Sequence, residues 1–465
     1  MKIILLIFAV CLFKLANGAI SFPSIIGNHM VLQQKTTVTL WGWCDPSEEI
    51  KIKTSWDTTI YITKGDNAAN WKISIPTPEA GGPYSIRFSG YETVTLNDIM
   101  IGEVWLCGGQ SNMAYSANNG IKQALEEAPN ANNTRIRFFS AEKASSNSLQ
   151  DDCKGEWKVC TPEEMKRFSA VGYFFGKKLQ NELNIPVGLI GANWGGTPAE
   201  VWTPAELVEQ DSLLKQSRGK LWASDEWWPV QPGICYNAMI NPISHFAMAG
   251  VIWYQGESNT DAAFTYKKLF STLIQSWRKA WQKELPFYFV QIAPSKHYQG
   301  QYNGALLREA QAQCLTLPNT GMVVIHDLIT DITEIHPQNK KDVGIRLSNY
   351  ALSEQYHKTG IPYKSPLFKS IQFNGNKAVV SFSGVLTGLK TSNGAPSGFL
   401  IAGDDKLFLP AEAIISGDKV VVSNKSIKHP VAVRFAFNNT EIPNLFTNEG
   451  LPVAGFRTDN WVIKP

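Results

Sequence analysis

Between residues 98 and 362, short apolar runs alternate with stretches of helical period, and this alternation constrains the fold more than any other feature. Val104-Trp105-Leu106-Cys107, Val187-Gly188-Leu189-Ile190, Gly250-Val251-Ile252-Trp253-Tyr254 and Phe287-Tyr288-Phe289-Val290 are apolar throughout, as strands buried on both faces are. Val171, Phe174, Phe175 and Leu179, and later Leu269, Leu273, Trp277 and Trp281, recur at the spacing of one helix face. The pattern predicts an α/β unit, a parallel sheet with helices on both faces. The texture differs on either side. From 19 to 97, alternating runs such as Thr37-Val38-Thr39-Leu40-Trp41 and Ile50-Lys51-Ile52-Lys53 are broken by Asp45-Pro46, Gly65-Asp66 and Gly81-Gly82-Pro83. They predict an antiparallel, sandwich-like β region. From 363 to 465 the β texture returns, with Ala378-Val379-Val380-Ser381-Phe382, Lys419-Val420-Val421-Val422 and Ala432-Val433-Arg434-Phe435 as its strands. A length of 465 residues suits this division into two or three domains.

Residues 1–18 have a different character. Lys2, an apolar run over 3–13 and the small-residue site Ala16-Asn17-Gly18 read as a signal peptide cleaved near Gly18, with a buried first element as the alternative. The run is too short to span a bilayer as a helix, and no later apolar stretch is long enough to act as an anchor. Export is therefore expected: to a periplasm or the exterior, or in a eukaryotic host to a lysosome or the exterior. Only in such a host would the sequons at Asn132, Asn424 and Asn438 matter. Cleavage removes Cys11 and leaves Cys44, Cys107, Cys153, Cys160, Cys235 and Cys314, whose spacing is not that of a zinc site. Cys153 and Cys160, flanking a short Gly-containing loop, suggest a local disulfide, with two free thiols as the alternative. A net charge of +3 and no basic stripe with interleaved aromatics argue against nucleic acid as a partner. The 15 Trp residues suit sugar-ring platforms but suit cores equally.

Ligands of parallel α/β sheets bind at the C-terminal ends of the strands, and three loops there carry unusual residues. Gly108-Gly109-Gln110-Ser111-Asn112-Met113 follows the Cys107 strand; its glycines permit a sharp turn that presents a serine hydroxyl and its own N–H to one space. This is not a Gly-x-Ser-x-Gly elbow, since Met113 stands where the second glycine belongs, and a tight turn with an N-cap serine fits equally well. Asn193-Trp194-Gly195-Gly196-Thr197 reads either as a close backbone approach to a ligand or as an ordinary turn. Trp253-Tyr254-Gln255-Gly256-Glu257-Ser258-Asn259 either offers an amide to an oxyanion or is a polar loop with an Asx turn. Of the seven histidines, His336 alone has two carboxylates just before it, in Asp331-Ile332-Thr333-Glu334-Ile335-His336-Pro337. A carboxylate on the second ring nitrogen is what an imidazole base requires.

Taken together, Gly-Gln-Ser-Asn, Gly-Gly-Thr, Gln-Gly-Glu-Ser and the late Ile-His-Pro resemble the SGNH-type esterases, and more narrowly the sialate O-acetylesterase family and its bacterial relatives. The likeness extends over most of the mature chain, through Phe168-Ser169-Ala170-Val171-Gly172-Tyr173, Leu307-Arg308-Glu309-Ala310-Gln311, Asn444-Leu445-Phe446 and Phe456-Arg457-Thr458-Asp459. It implies a three-layer α/β/α domain with accessory β regions. It implies Ser111 as nucleophile, His336 as base, and oxyanion donors at the Ser111 N–H, the Gly195-Gly196 turn and the Gln255 side chain. The chain departs from the family pattern at Thr333, where SGNH enzymes place Asp three residues before the histidine. Glu334, Asp331, the more remote Asp327 and a Ser-His dyad are the alternatives for the third member.

The expected reaction is hydrolysis of O-acetyl esters on carbohydrate through an acetyl-Ser111 intermediate, without metal or organic cofactor. The resemblance points first to O-acetylated sialic acid and second to acetylated xylan or other plant polysaccharides. Arg308 is the candidate partner for a sialic acid carboxylate, against an exposed salt-bridged arginine. Trp194, with Trp222, Trp227 and Trp228, is the candidate sugar-stacking rim, against ordinary packing. A non-catalytic glycan-binding protein on an esterase scaffold is the rival from another class.

Overall fold

A computed structural model describes residues 20–221 and 227–463, so the expected signal peptide lies outside the described residues. Along the central path of the main sheet the strands run Thr320–Val323, Phe287–Val290, Gly250–Tyr254, Thr93–Gly109, Val187–Asn193, Asn133–Ser140 and Trp157–Cys160. Each neighbouring pair is parallel except the last. The apolar runs are strands because both of their faces are covered. Successive side chains point to opposite sides of the sheet. Trp105, Cys107, Leu189 and Ile252 pack with Phe175 and Leu179 of the helix Ala170–Leu183 and with Val343 and Leu347 of the helix Lys340–Tyr350. Their chain neighbours Val104, Leu106, Ile190, Val251 and Trp253 pack on the other side. There they meet Leu269, Leu273 and Trp277 of the helix Ala263–Trp281 and Leu307 of the helix Asn303–Gln313. Full burial of each large side chain contributes roughly 1.5–3 kcal/mol, which fixes the strand register.

The strand holding Cys107 starts well before its apolar run. Its first half, beginning at Thr93, pairs antiparallel with Gly81–Ser89 and parallel with Val31–Gln33, and its second half lies inside the central sheet. The change of texture at 97/98 therefore falls within one strand. The N-terminal β region is not wholly antiparallel as expected, because the chain between Val31–Gln33 and Met100 is long enough for a parallel return. Ile50, Ile52 and Phe88 of this region share one apolar cluster with Leu273 and Trp277.

Beyond 363 the expected β texture forms antiparallel sheets. Leu367–Asn374, Lys377–Ser383, Lys419–Ser423 and Glu412–Ser416 make one; Leu409–Pro410, Phe399–Ala402, Ala432–Phe435 and Phe456–Arg457 make another. Val380, Phe382, Ile401, Val422 and Phe435 form a separate apolar cluster there. Arg457 ties this region to the helix Asn303–Gln313 through a bidentate pair with Glu309, 2.9 Å on each arm.

Cys153 and Cys160 are not bridged: both are buried free thiols. Cys153 joins the apolar cluster of Trp157, whereas Cys160 joins the one on the opposite side of the sheet and donates to the Ala131 carbonyl at 3.5 Å. Closeness in sequence does not bring them together, because Cys160 ends the strand Trp157–Cys160 facing one side of the sheet while Cys153, just before that strand, packs on the other. Among the described residues no helix is long and apolar enough to cross a membrane.

Candidate active site

The central sheet changes direction at the strand Thr93–Gly109. The chain continues from it to strands on one side and returns later on the other, so a crevice opens at its C-terminal end. The loops 110–113, 194–197 and 255–259 all meet in this crevice. Gly109 makes the turn possible. Its φ is +134°, and a Cβ there would stand 2.2 Å from the Tyr254 carbonyl oxygen, so only glycine fits. Gln110 donates its N–H to that same carbonyl at 3.0 Å, and Ser111 then opens the single-turn helix Ser111–Ala114.

His336 reaches Ser111 from the loop before the helix Lys340–Tyr350. Its Nε2 lies 2.9 Å from Ser111 Oγ, and its Nδ1 lies 3.2 Å from Glu334 Oε1. With Nδ1–H donating to the carboxylate, Nε2 is left to accept the serine proton. The Glu334 side chain folds back so that Oε1 also accepts the His336 backbone N–H at 2.8 Å. This local ring lets a carboxylate two residues away reach the imidazole. Tyr115 stacks on the His336 ring at 4.3 Å between centroids and 21° between planes. Burial of the imidazole, helped by the nearby Lys340 cation, holds its pKa below the ordinary histidine value against the pull of Glu334. At neutral pH the ring is therefore an unprotonated base.

The other candidate acids are engaged elsewhere. Asp331 Oδ1 accepts the Thr333 N–H at 2.8 Å and its hydroxyl at 2.6 Å, shaping the loop in front of the histidine. Asp327 holds Arg346 with both oxygens, at 2.7 and 2.5 Å. The loop is pinned from outside by Lys296, whose N–H donates to the Ile332 carbonyl at 2.8 Å, and by His297 Nε2, 2.7 Å from the Thr333 carbonyl.

Gly195 lies against Ser111: a Cβ on it would stand 3.4 Å from Ser111 Cβ. Among the described residues the N–H groups of Ser111 and Gly195 have no hydrogen-bond acceptor, leaving two backbone donors beside the hydroxyl. Gly196 takes φ +79° to close the turn, and Trp228 packs on it. The Gln255 side chain is not brought to this space, contrary to the expectation. It is fully buried; its amide N–H groups go to Asn259 Oδ1 at 2.7 Å and the Thr197 carbonyl at 3.3 Å, and its oxygen accepts from Tyr266 at 2.8 Å. With both hydrogens spent, it ties together the loops that bear the other groups.

Arg308 also differs from the expectation. It lies on the sheet-facing side of its helix with Leu307 and Gln311, is 6% exposed and donates to the Asn438 carbonyl. Burial lowers its pKa to about 10. A substrate carboxylate has no access to it. Trp194 is half-buried, and its indole N–H donates to the carbonyl of Trp227 at 2.7 Å; Trp227 itself is 69% exposed. Trp222 lies outside the described residues.

Beneath Ser111 is a polar cluster to which the sequence reading assigned no role. Asn112, fully buried, donates to Glu257 Oε1 at 2.5 Å and to the Ile335 carbonyl at 3.1 Å, and accepts from Lys340 Nζ at 2.5 Å. Lys340 begins its helix, the end where a cation is disfavoured by the dipole; that misplacement is the one sequence signal that marks it. Among the described residues no group of His, Cys, Asp and Glu is arranged to hold a metal ion.

Residues 101–353 match the family model of carbohydrate esterases described as sialic acid-specific acetylesterase. The sialate O-acetylesterase of Homo sapiens is 27% identical over 399 residues, 78% of this chain and 76% of that protein. The Mus musculus sialate O-acetylesterase is likewise 27% identical, covering 78% of each chain. The crystal structure of a carbohydrate acetylesterase from Xanthomonas citri superposes with a TM-score of 0.87 at 37% identity, covering 95% of this chain and 100% of that one.

Proposed function

The chain belongs to the sialic acid-specific acetylesterase family of carbohydrate esterases, and from that premise we propose how it works and on what. It is a carboxylic ester hydrolase that removes O-acetyl groups from carbohydrate. The single observation that carries the mechanism is the 2.9 Å contact between Ser111 Oγ and His336 Nε2, with Glu334 on the far ring nitrogen. His336 takes the Ser111 proton as Oγ attacks the acetyl carbon. The tetrahedral oxyanion is met by the N–H groups of Ser111 and Gly195. The intermediate collapses as the imidazolium returns its proton to the departing sugar oxygen, leaving acetyl-Ser111. Water, deprotonated by His336, then attacks the acetyl carbon; acetate leaves and Ser111 regains its proton.

The catalytic unit in this reading is 98–362, with β regions at 19–97 and 363–465, and the protein is exported after loss of residues 1–18. O-acetylated sialic acid is the preferred substrate class, on the strength of the family and the sialate O-acetylesterase relatives. The Trp194–Trp227 pair forms a rim on which a sugar face stacks. The buried state of Arg308 leaves the carboxylate of such a sugar without that partner, and this keeps acetylated xylan as the second reading. Acetate release from matched panels of acetylated sialic acids and acetylated xylan decides between them. Faster turnover per acetyl group on the sialic acids, by about tenfold or more in kcat/KM, is expected; the reverse order reassigns the substrate. No acetate from any acetyl ester, aryl acetates included, would leave only a glycan-binding role.

A further inference from the structure

Lys340 is an improbable residue where it stands. It has no solvent exposure, it occupies the first turn of a helix, and among the described residues it makes no ion pair within 4 Å. Its ammonium lies over the faces of Tyr254 and Tyr115, 5.2 and 5.9 Å from the ring centres, and donates to Asn112 Oδ1 at 2.5 Å. Glu257, 2% exposed, takes an Asn112 N–H on Oε1, while its Oε2 has no protein partner among the described residues. Burying a cation and a carboxylate on either side of one amide is a poor way to stabilise a fold, since desolvation offsets the attraction.

The amide between them joins the two halves of the site. Asn112 adjoins Ser111 in sequence, and its second N–H goes to the carbonyl of Ile335, which adjoins His336. Only one orientation of the amide satisfies all three neighbours. Flipping it would set its NH₂ against the Lys340 ammonium and its oxygen against the Glu257 carboxylate and the Ile335 carbonyl. We propose that Lys340 is a positioning residue of the esterase reaction, which by fixing the Asn112 amide clamps the Ser111 segment to the Ile335–His336 loop. The inference rests on the reading of Ser111 and His336 as nucleophile and base.

The same cation acts on the base through space. The charged and titratable groups facing His336 are Glu334 on its own loop, Lys340 below it, His297 from the loop after Phe287–Val290, and the Tyr115 phenol stacked on the ring. Lys340 and His297 oppose the imidazolium, and Glu334 favours it. Burial lowers the Lys340 ammonium to about 7, so it is charged across the acid range in which His336 titrates. Above that range the neutral amine still donates to Asn112, so the clamp persists when the charge is gone.

The test is Lys340→Met in the full chain, assayed with an aryl acetate for kcat, KM, the pH profile of kcat/KM and thermal stability. A loss of about 10–100-fold in kcat with KM little changed is expected from a slightly misplaced pair. The acid limb of kcat/KM should move to higher pH, since His336 has lost an opposing charge. Lys340→Gln, a neutral donor, should recover part of kcat while leaving the limb shifted, and it provides both readouts if the methionine variant does not fold. A kcat within twofold of wild type, or a loss that tracks unfolding with the acid limb unmoved, would overturn the proposal. Ser111→Ala separates the two levels: if it stays active, the reading of the catalytic pair has failed, whatever Lys340 does.

Discussion

At the scale of single residues, reach is what makes Glu334 the proposed third member of the catalytic set. Glu334 stood first among several acids legible from sequence, but spacing alone did not settle the choice, because residues two apart on a helical turn would face apart. The loop 331–336 is not regular: Asp331 caps Thr333, and Glu334 closes a ring with the His336 N–H and Nδ1. Glu334→Gln should therefore lower kcat on the order of 10²–10⁴-fold, and Asp331→Asn should lower it little. The sign of the pH effect is also fixed. Glu334 raises the His336 pKa, so its neutral variant should move the acid limb to lower pH, opposite to the shift expected for Lys340→Met. Comparable losses in both loop variants with no shift in either would assign the loop a folding role only. Gln255 and Arg308 show where residue reading failed. Both sit on inward faces, Gln255 on a turn and Arg308 on a helix, and burial is set by elements too distant in sequence for a local pattern to show.

At the scale of elements, the alternation of strand and helix was legible because each buried strand is apolar on both faces and each covering helix repeats its apolar residues every three or four positions. The serine turn was legible as a turn; not legible were that Gln110 rather than Ser111 stands at the cap of the short helix and that the His336 loop meets it. The start of the long strand was not legible: Thr93-Val94-Thr95-Leu96-Asn97 alternates like a half-exposed strand and then becomes wholly buried within the same element. The Cys153–Cys160 bridge failed for a related reason, as the face that the strand Trp157–Cys160 gives to Cys160 was not legible. Gly109 is where element and site depend on each other. Gly109→Ala places a Cβ against the Tyr254 carbonyl at a φ of +134°, a conformation that alone costs about 1–3 kcal/mol for other residues. The variant should show a lowered Tm and lose activity out of proportion to the unfolded fraction at assay temperature. A variant with wild-type Tm and turnover would mean that the turn tolerates another path.

At the scale of the whole molecule, the site is assembled from segments far apart in the chain. Ser111, Gly195 and His336 come from three loops, and what aligns them is the switch in strand order at the strand Thr93–Gly109. The same strand carries the N-terminal β region, whose apolar residues share a cluster with the helix Ala263–Trp281, so the flank and the catalytic sheet form one continuous packing unit. The C-terminal sheets have a cluster of their own and also meet the core, through Ala454 in the main apolar cluster, Arg457–Glu309, the Asn438 carbonyl on Arg308, and the Asn439 carboxamide, which accepts the Gly304 N–H at 2.8 Å. In the proposed mechanism this architecture serves one covalent event, and that event can be observed. Rapid acid quench of the full-length enzyme during turnover of an acetyl ester, followed by peptide mass spectrometry, reads the acetyl-enzyme directly. The account predicts one acetyl group on the peptide containing Ser111, formed and lost at rates that match acetate release, and absent from Ser111→Ala. Acetate release at full rate with no acetyl on that peptide, or with the acetyl on another residue, would contradict it.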